Sequence, residues 1–150
     1  MAKRFLVPLD HRRLGEPAMA LVVDAARAAG GTVRLLHVAA VPDVVVSSDG
    51  HTVAYTDQET SRIEAEHLDD LRRFEPLFAG VAVDSVVRFG DPAEEILREA
   101  EAFGAEVIAV MTTCRNGLKR TLLGSVAEQL LRKAATTVML IRPAEDGVTG

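Results

Sequence analysis

A chain of 150 residues, 48% hydrophobic and 26% charged, is long enough to bury a core and has the size of one domain. Its formal charge of −5, with no Trp and 1 Tyr, argues against a nucleic-acid surface or a base-stacking platform. No apolar run approaches the ~20 residues that cross a bilayer, and 1 cysteine excludes a disulfide framework or a multi-cysteine metal site. MAKRFLVPLD lacks a secretory apolar core, so a cytoplasmic protein with no membrane, nucleic-acid or metal partner is expected.

Apolar runs alternate with helical patterns along the chain. Phe5-Leu6-Val7-Pro8-Leu9 reads as a first strand. A helix follows over residues 16–29, with Leu21, Val22, Ala25 and Ala29 expected on its buried face and Gly30-Gly31 as its stop. Residues 33–38 read as a second strand. The stretch 41–56, VPDVVVSSDGHTVAYT, leaves two readings open: a small projecting hairpin around Asp49-Gly50, or a plain loop. Ile63, His67, Leu71 and Phe74 then recur at helical spacing, predicting a helix over 57–75 that Pro76 ends or kinks.

The run VAVDSVVRF alternates apolar and polar residues, as a strand with one wet face or an edge position does. Asp91 suits the cap of the next helix, Pro92 its first position, and Gly104 follows its end. VIAVM, residues 107–111, predicts a strand buried on both faces. A last helix is expected over 126–134, with Ser125-x-x-Glu128 as a capping box, then a strand over Thr137-Val138-Met139-Leu140-Ile141. One domain over 1–143 with a flexible tail over 144–150 is the expected organisation. Strand–helix alternation with short connections implies an α/β, doubly wound parallel sheet of five strands with helices on both faces.

In such a sheet a ligand sits beyond the carboxyl ends of the strands, where strand order reverses. That places the exit of the first strand, Asp10-His11-Arg12-Arg13, beside the loop after the fourth strand, with Arg115, Lys119 and Arg120. A helix beginning after Gly124 turns its unpaired amides toward the same space. The same residues also read as a solvated basic loop and an ordinary helix cap.

Taken together, FLVPLD, RLLHV, FGDPAEEILREAEAFGAEVIAVM and NGLKRTLLGSVAEQLLRKAATTVMLIRP resemble the universal stress protein (UspA-like) family over nearly the whole chain. The resemblance implies a Rossmann-like sheet of order 3-2-1-4-5, of the adenine nucleotide alpha hydrolase kind, in dimeric cytoplasmic proteins of the stress response. ATP-binding members carry Gly-x-x-Gly, nine residues, then Gly-Ser or Gly-Thr. Here the first two glycines fall on Met111 and Cys114, while Gly124-Ser125 completes the pattern after Arg115 to Leu123. By the same resemblance Asp10 falls on the acidic residue that meets the adenosine end, and Pro8 and Val38 on the apolar lining of the adenine pocket.

Two lost glycines make a tight triphosphate cradle improbable, since a side chain takes the room in which bare backbone would meet phosphate. Arg115, Lys119, Arg120 and the Asn116-Gly117 turn could still hold AMP, ADP, ATP or another small anion less tightly. No catalytic constellation is visible. His11, His37, His51 and His67 show no metal-ligand spacing, His37 and His67 read as packing residues, and Cys114 as a small residue at a former glycine position. A phosphoacceptor reading fails, because Asp10 stands without an acidic partner and Ile141-Arg142-Pro143 offers no lysine. The expectation is a non-enzymatic regulatory module with a degenerate adenine-nucleotide site; the alternative is a genuine ATP or AMP binder with slow hydrolysis. The uncharged fifth strand, Val138, Met139, Leu140 and Ile141, lies on an edge of the expected sheet and predicts a homodimer joined there.

Overall fold

The computed structural model describes residues 3–9, 16–42, 53–111 and 124–141. Five parallel strands form one sheet: β1 (Arg4–Pro8), β2 (Thr32–Ala39), β3 (Ala82–Phe89), β4 (Val107–Met111) and β5 (Thr137–Ile141). Their order is β3-β2-β1-β4-β5, the doubly wound order that the sequence predicts. Helices α1 (Glu16–Ala28), α2 (Val53–Arg72), α3 (Pro92–Phe103) and α4 (Ser125–Lys133) make the crossovers.

Because side chains alternate along a strand, each strand feeds two cores. Phe5, Val7, Leu9, Val33, Leu35 and Ala109 pack with Met19, Val22, Val23, Ala26, Leu71 and Phe78 on the α1/α2 face. Leu6, Leu36, Ile108 and Val110 pack with Ile96, Ala100, Phe103, Ala127 and Leu130 on the α3/α4 face. Burial on both sides is why β4 lacks the polar alternation that β3, on the sheet edge, displays.

Several boundaries follow the sequence closely. Asp91 caps α3 by accepting the Glu94 amide at 3.1 Å, and Gly104 ends that helix. Gly30 takes φ +61 after α1, and a Cβ on Gly31 would lie 2.7 Å from the Lys3 carbonyl, so both glycines of the pair are required.

Others differ. The buried stripe of α1 is Met19, Val22, Val23 and Ala26, the i, i+3, i+4, i+7 set, whereas Leu21 falls on the outer side and is 58% exposed. Helix α2 starts at Val53, so Val53, Ala54 and Tyr55 are helical and do not form the return strand of a hairpin; residues 43–52 lie outside the described residues. Helical packing over β2 and β3 overrides the local β preference of that short run. Beyond Arg72 the chain makes a 3₁₀ turn, Glu75–Phe78, with Pro76 in its first turn, and this turn drops Phe78 into the core.

Candidate functional site

The order reversal lies between β1 and β4, and α4 leaves β4 to cover the α3/α4 face. Val38 packs on that face, and strand alternation places Pro8 there too, opposite Val7. Helix α4, whose Val126 and Ala127 join the same core, begins at its edge. Pro8 and Val38 therefore share the sheet face that α4, which starts at Gly124-Ser125, helps to cover. Asp10, Cys114, Arg115, Asn116, Gly117, Lys119 and Arg120 lie outside the described residues.

The capping box expected at Ser125 is not formed. Gly124 is the N-cap, Ser125 is the first helical residue, and no side chain caps the helix. The Glu128 amide donates to the Gly124 carbonyl at 3.1 Å, and the Glu128 carboxylate accepts from Arg132 at 2.6 Å one turn on. A glycine N-cap has no side-chain oxygen to offer, so the first amides of α4 keep their donor capacity and the helix its positive end.

Met111 corrects a second expectation. Its side chain packs against the α1/α2-face core, on the same side as Ala109, with Ile141 as its strand partner. It does not stand among Pro8 and Val38. Where a glycine would leave the end of β4 free to shape itself around a ligand, Met111 pins it into the core.

Between β1 and β2 the ladder stops early. Its last register pair is Pro8 with Leu36, although the Leu9 amide still donates to the Leu36 carbonyl at 2.7 Å. The next rung would join the Leu9 carbonyl to the Val38 amide. Instead that carbonyl accepts from Nδ1 of His37 at 3.1 Å. Leu36 faces β1, and the Ala39 carbonyl meets Gly90 on the β3 side, so the alternation directs Val38's amide and carbonyl to the β1 side beyond the last pair. An apolar side chain next to directed main-chain groups is what recognises the edge of a heterocyclic base. The sequence marked Val38 through the family resemblance; the contribution of His37 was legible only as a packing residue.

A second concentration of charge lies on the α3/α4 face at the β3 edge. Arg34 grips Asp84 with two parallel bonds of 2.9 Å, donates to Glu99 at 2.9 Å, and lies 4.3 Å over the Phe103 ring. Arg88 donates to Glu99 at 2.6 Å and to Glu95 at 3.1 Å, and Arg98 also reaches Glu95. Hydrogen bonds to Asp84 hold the Arg34 guanidinium above its ordinary pKa, and those to Glu99 do the same for Arg88, in each case against partial burial. Every buried side-chain nitrogen and oxygen among the described residues has a partner, so the buried groups of this cluster are spent on one another. No group of three or more metal-ligating side chains occurs among the described residues.

A five-stranded parallel sheet of order 3-2-1-4-5, its order reversing between β1 and β4, defines a doubly wound α/β fold. The chain's family model is the universal stress protein family, matched over residues 1–142, and the chain belongs to that family. Universal stress protein YxiE of Bacillus subtilis is 27% identical over 148 residues, 95% of this chain and 100% of that protein. The structure of MJ0577 of Methanocaldococcus jannaschii superposes with a TM-score of 0.78 at 24% identity, over 97% of this chain and 99% of that one. The universal stress protein of Archaeoglobus fulgidus, solved in complex with dAMP, gives 0.55 at 18% identity over 93% and 97%. These two structural likenesses establish the fold.

Proposed function

We propose that this protein is a non-enzymatic regulatory module of the stress response, cytoplasmic, whose adenine-nucleotide site keeps its adenosine half and has lost its polyphosphate half. The seating of Met111 in the α1/α2 core carries this reading. A strand end anchored by a side chain lacks the conformational freedom that the phosphate-cradling glycines give ATP-binding relatives. Pro8, Val38 and the uncapped start of α4 remain to take an adenosine monophosphate, with Asp10, Arg115, Asn116, Gly117, Lys119 and Arg120 supplying polar contacts to it. A neighbour of the same fold solved in complex with dAMP is in keeping with a monophosphate ligand. The competing reading is an ATP binder with slow hydrolysis.

Calorimetry at low salt with AMP, ADP and ATP separates the two. AMP should bind, and ATP no more tightly than AMP. The double substitution Met111→Gly/Cys114→Gly should raise ATP affinity at least about tenfold, a gain of about 1.4 kcal/mol. Micromolar ATP binding by the unaltered chain, or hydrolysis of ATP by it, overturns the proposal.

We further propose that two copies pair through β5. The strand is a sheet edge, its Leu140 is 37% exposed, and α4, which packs beside it, also exposes Leu131. An uncharged edge of this kind invites a strand from another copy. A monomer throughout the micromolar range in sedimentation would remove this part of the reading.

A further inference from the structure

We infer that His37 is a positioning residue for the crevice: its side chain ends the β1–β2 ladder one rung early and so leaves the main chain of Val38 available at the site. The ladder's own geometry calls for a Val38 amide to Leu9 carbonyl bond after the Leu9 amide has bonded Leu36. The register ends at Pro8 and Leu36, and the Leu9 carbonyl goes to His37 Nδ1. A carbonyl can only accept, so Nδ1 is the donor of this bond. The ring has a reason to stay there. His67 of α2 stacks on it with centroids 4.1 Å apart and planes 32° from parallel, which ties the exit of β1 to the helix above. His37 and Val38 are neighbours on opposite faces of β2: one draws the carbonyl toward the α2 side, and the other keeps its amide for the crevice.

Backbone hydrogen exchange in the full chain tests this without any ligand. In the parent the Val38 amide should exchange faster than that of Leu36, the last paired residue. His37→Phe keeps a ring for His67 and removes the donor, so the Leu9 carbonyl returns to Val38, whose amide should slow by about tenfold. His37→Asn places an amide N–H near the Nδ1 position and should keep Val38 fast, a rescue that a merely space-filling role for the ring would not give. His37→Gln carries its donor farther out and should behave as His37→Phe, which supplies the contrast should the Phe variant fail to fold. If Val38 exchanges at the parental rate in both the Phe and Gln variants, or slows equally in the Asn variant, the inference is wrong. AMP titrations add a second arm that rests on the proposed nucleotide reading: affinity should fall about tenfold in the Phe variant and stay within about threefold of the parent in the Asn variant. A parent that binds no AMP sinks that reading alone, and the exchange contrast still decides the role of His37.

Discussion

The two edges of the sheet are built on opposite principles. At β3, Asp84 and Arg88 project from the edge strand into a lattice of charge with Arg34, Glu95 and Glu99, and α2 packs over the other face. At β5 the strand TVMLI carries no charge at all, and Leu140 faces outward. An edge that is finished with fixed charges cannot accept another strand without stripping them of their partners. An apolar edge can. The contrast separates an edge completed within the chain from one that, in the proposed dimer, takes a second copy, and each side of it can be broken on its own.

Glu99→Ala strikes the β3 side hardest. Glu99 is 4% exposed, and its carboxylate answers two guanidinium groups, Arg34 at 2.9 Å and Arg88 at 2.6 Å. Removing one member of a buried ionic cluster strands the others, and because both arginines retain water access the loss should be about 2–3 kcal/mol. Urea denaturation checks it; a loss below about 0.5 kcal/mol would mean the lattice is ornament on an apolar fold. Arg34 would also lose one of the two carboxylates that hold it over Phe103, so lower protection of the α3 C-terminus should accompany the drop.

Leu140→Lys tests the β5 side. A lysine there places charge where the partner's strand would lie, and self-association should weaken at least about tenfold while the monomer keeps its fold, since Leu140 is outward-facing. Sedimentation across protein concentrations gives the shift, and far-UV circular dichroism confirms that the sheet survives. Unchanged association would move the interface away from this strand and leave the β5 edge without an explanation.

Much of this fold was readable from residue pattern, and the particular failures have physical causes. The order of strands and helices follows from alternating apolar runs, and α3 was legible to the residue because Asp91, Pro92 and Gly104 each act locally. Capping at Ser125 was misplaced by one position, since a Gly-Ser pair offers two candidates and only the backbone angles choose Gly124. Val53 to Tyr55, left open between a hairpin strand and a loop, are helical because short-range preference is weak against the packing of a long helix on a sheet. At the site, Pro8 and Val38 came through family resemblance, whereas the early end of the β1–β2 ladder had no sequence signal. It depends on a side chain 28 positions away from the carbonyl that it takes. Met111 was placed correctly on β4, but the face it would choose could be read only once Ala109 was seen in the α1/α2 core.

The smallest effect belongs to the same chemistry without burial, which sharpens what the β3 edge owes to its setting. On α2, above that edge, Arg62 reaches both Glu59 and Glu66 one turn to either side, and all three are exposed. The hydrogen bond from Arg62, and then its charge, hold the Glu59 carboxyl below the ordinary glutamate value. A folded-state pKa below the unfolded one contributes stability above the ordinary glutamate range, and that contribution is lost as the pH falls through it. Glu59→Gln should therefore be slightly less stable than the parent at neutral pH, with the two urea midpoints converging as the pH falls below the ordinary glutamate range. Added salt should narrow the neutral-pH gap as well, because water and ions already surround the pair. A gap as large as that of Glu99→Ala would show that charge pairing alone, irrespective of burial, finishes the β3 edge, and the proposed distinction between the two edges would then rest on sequence charge and not on packing.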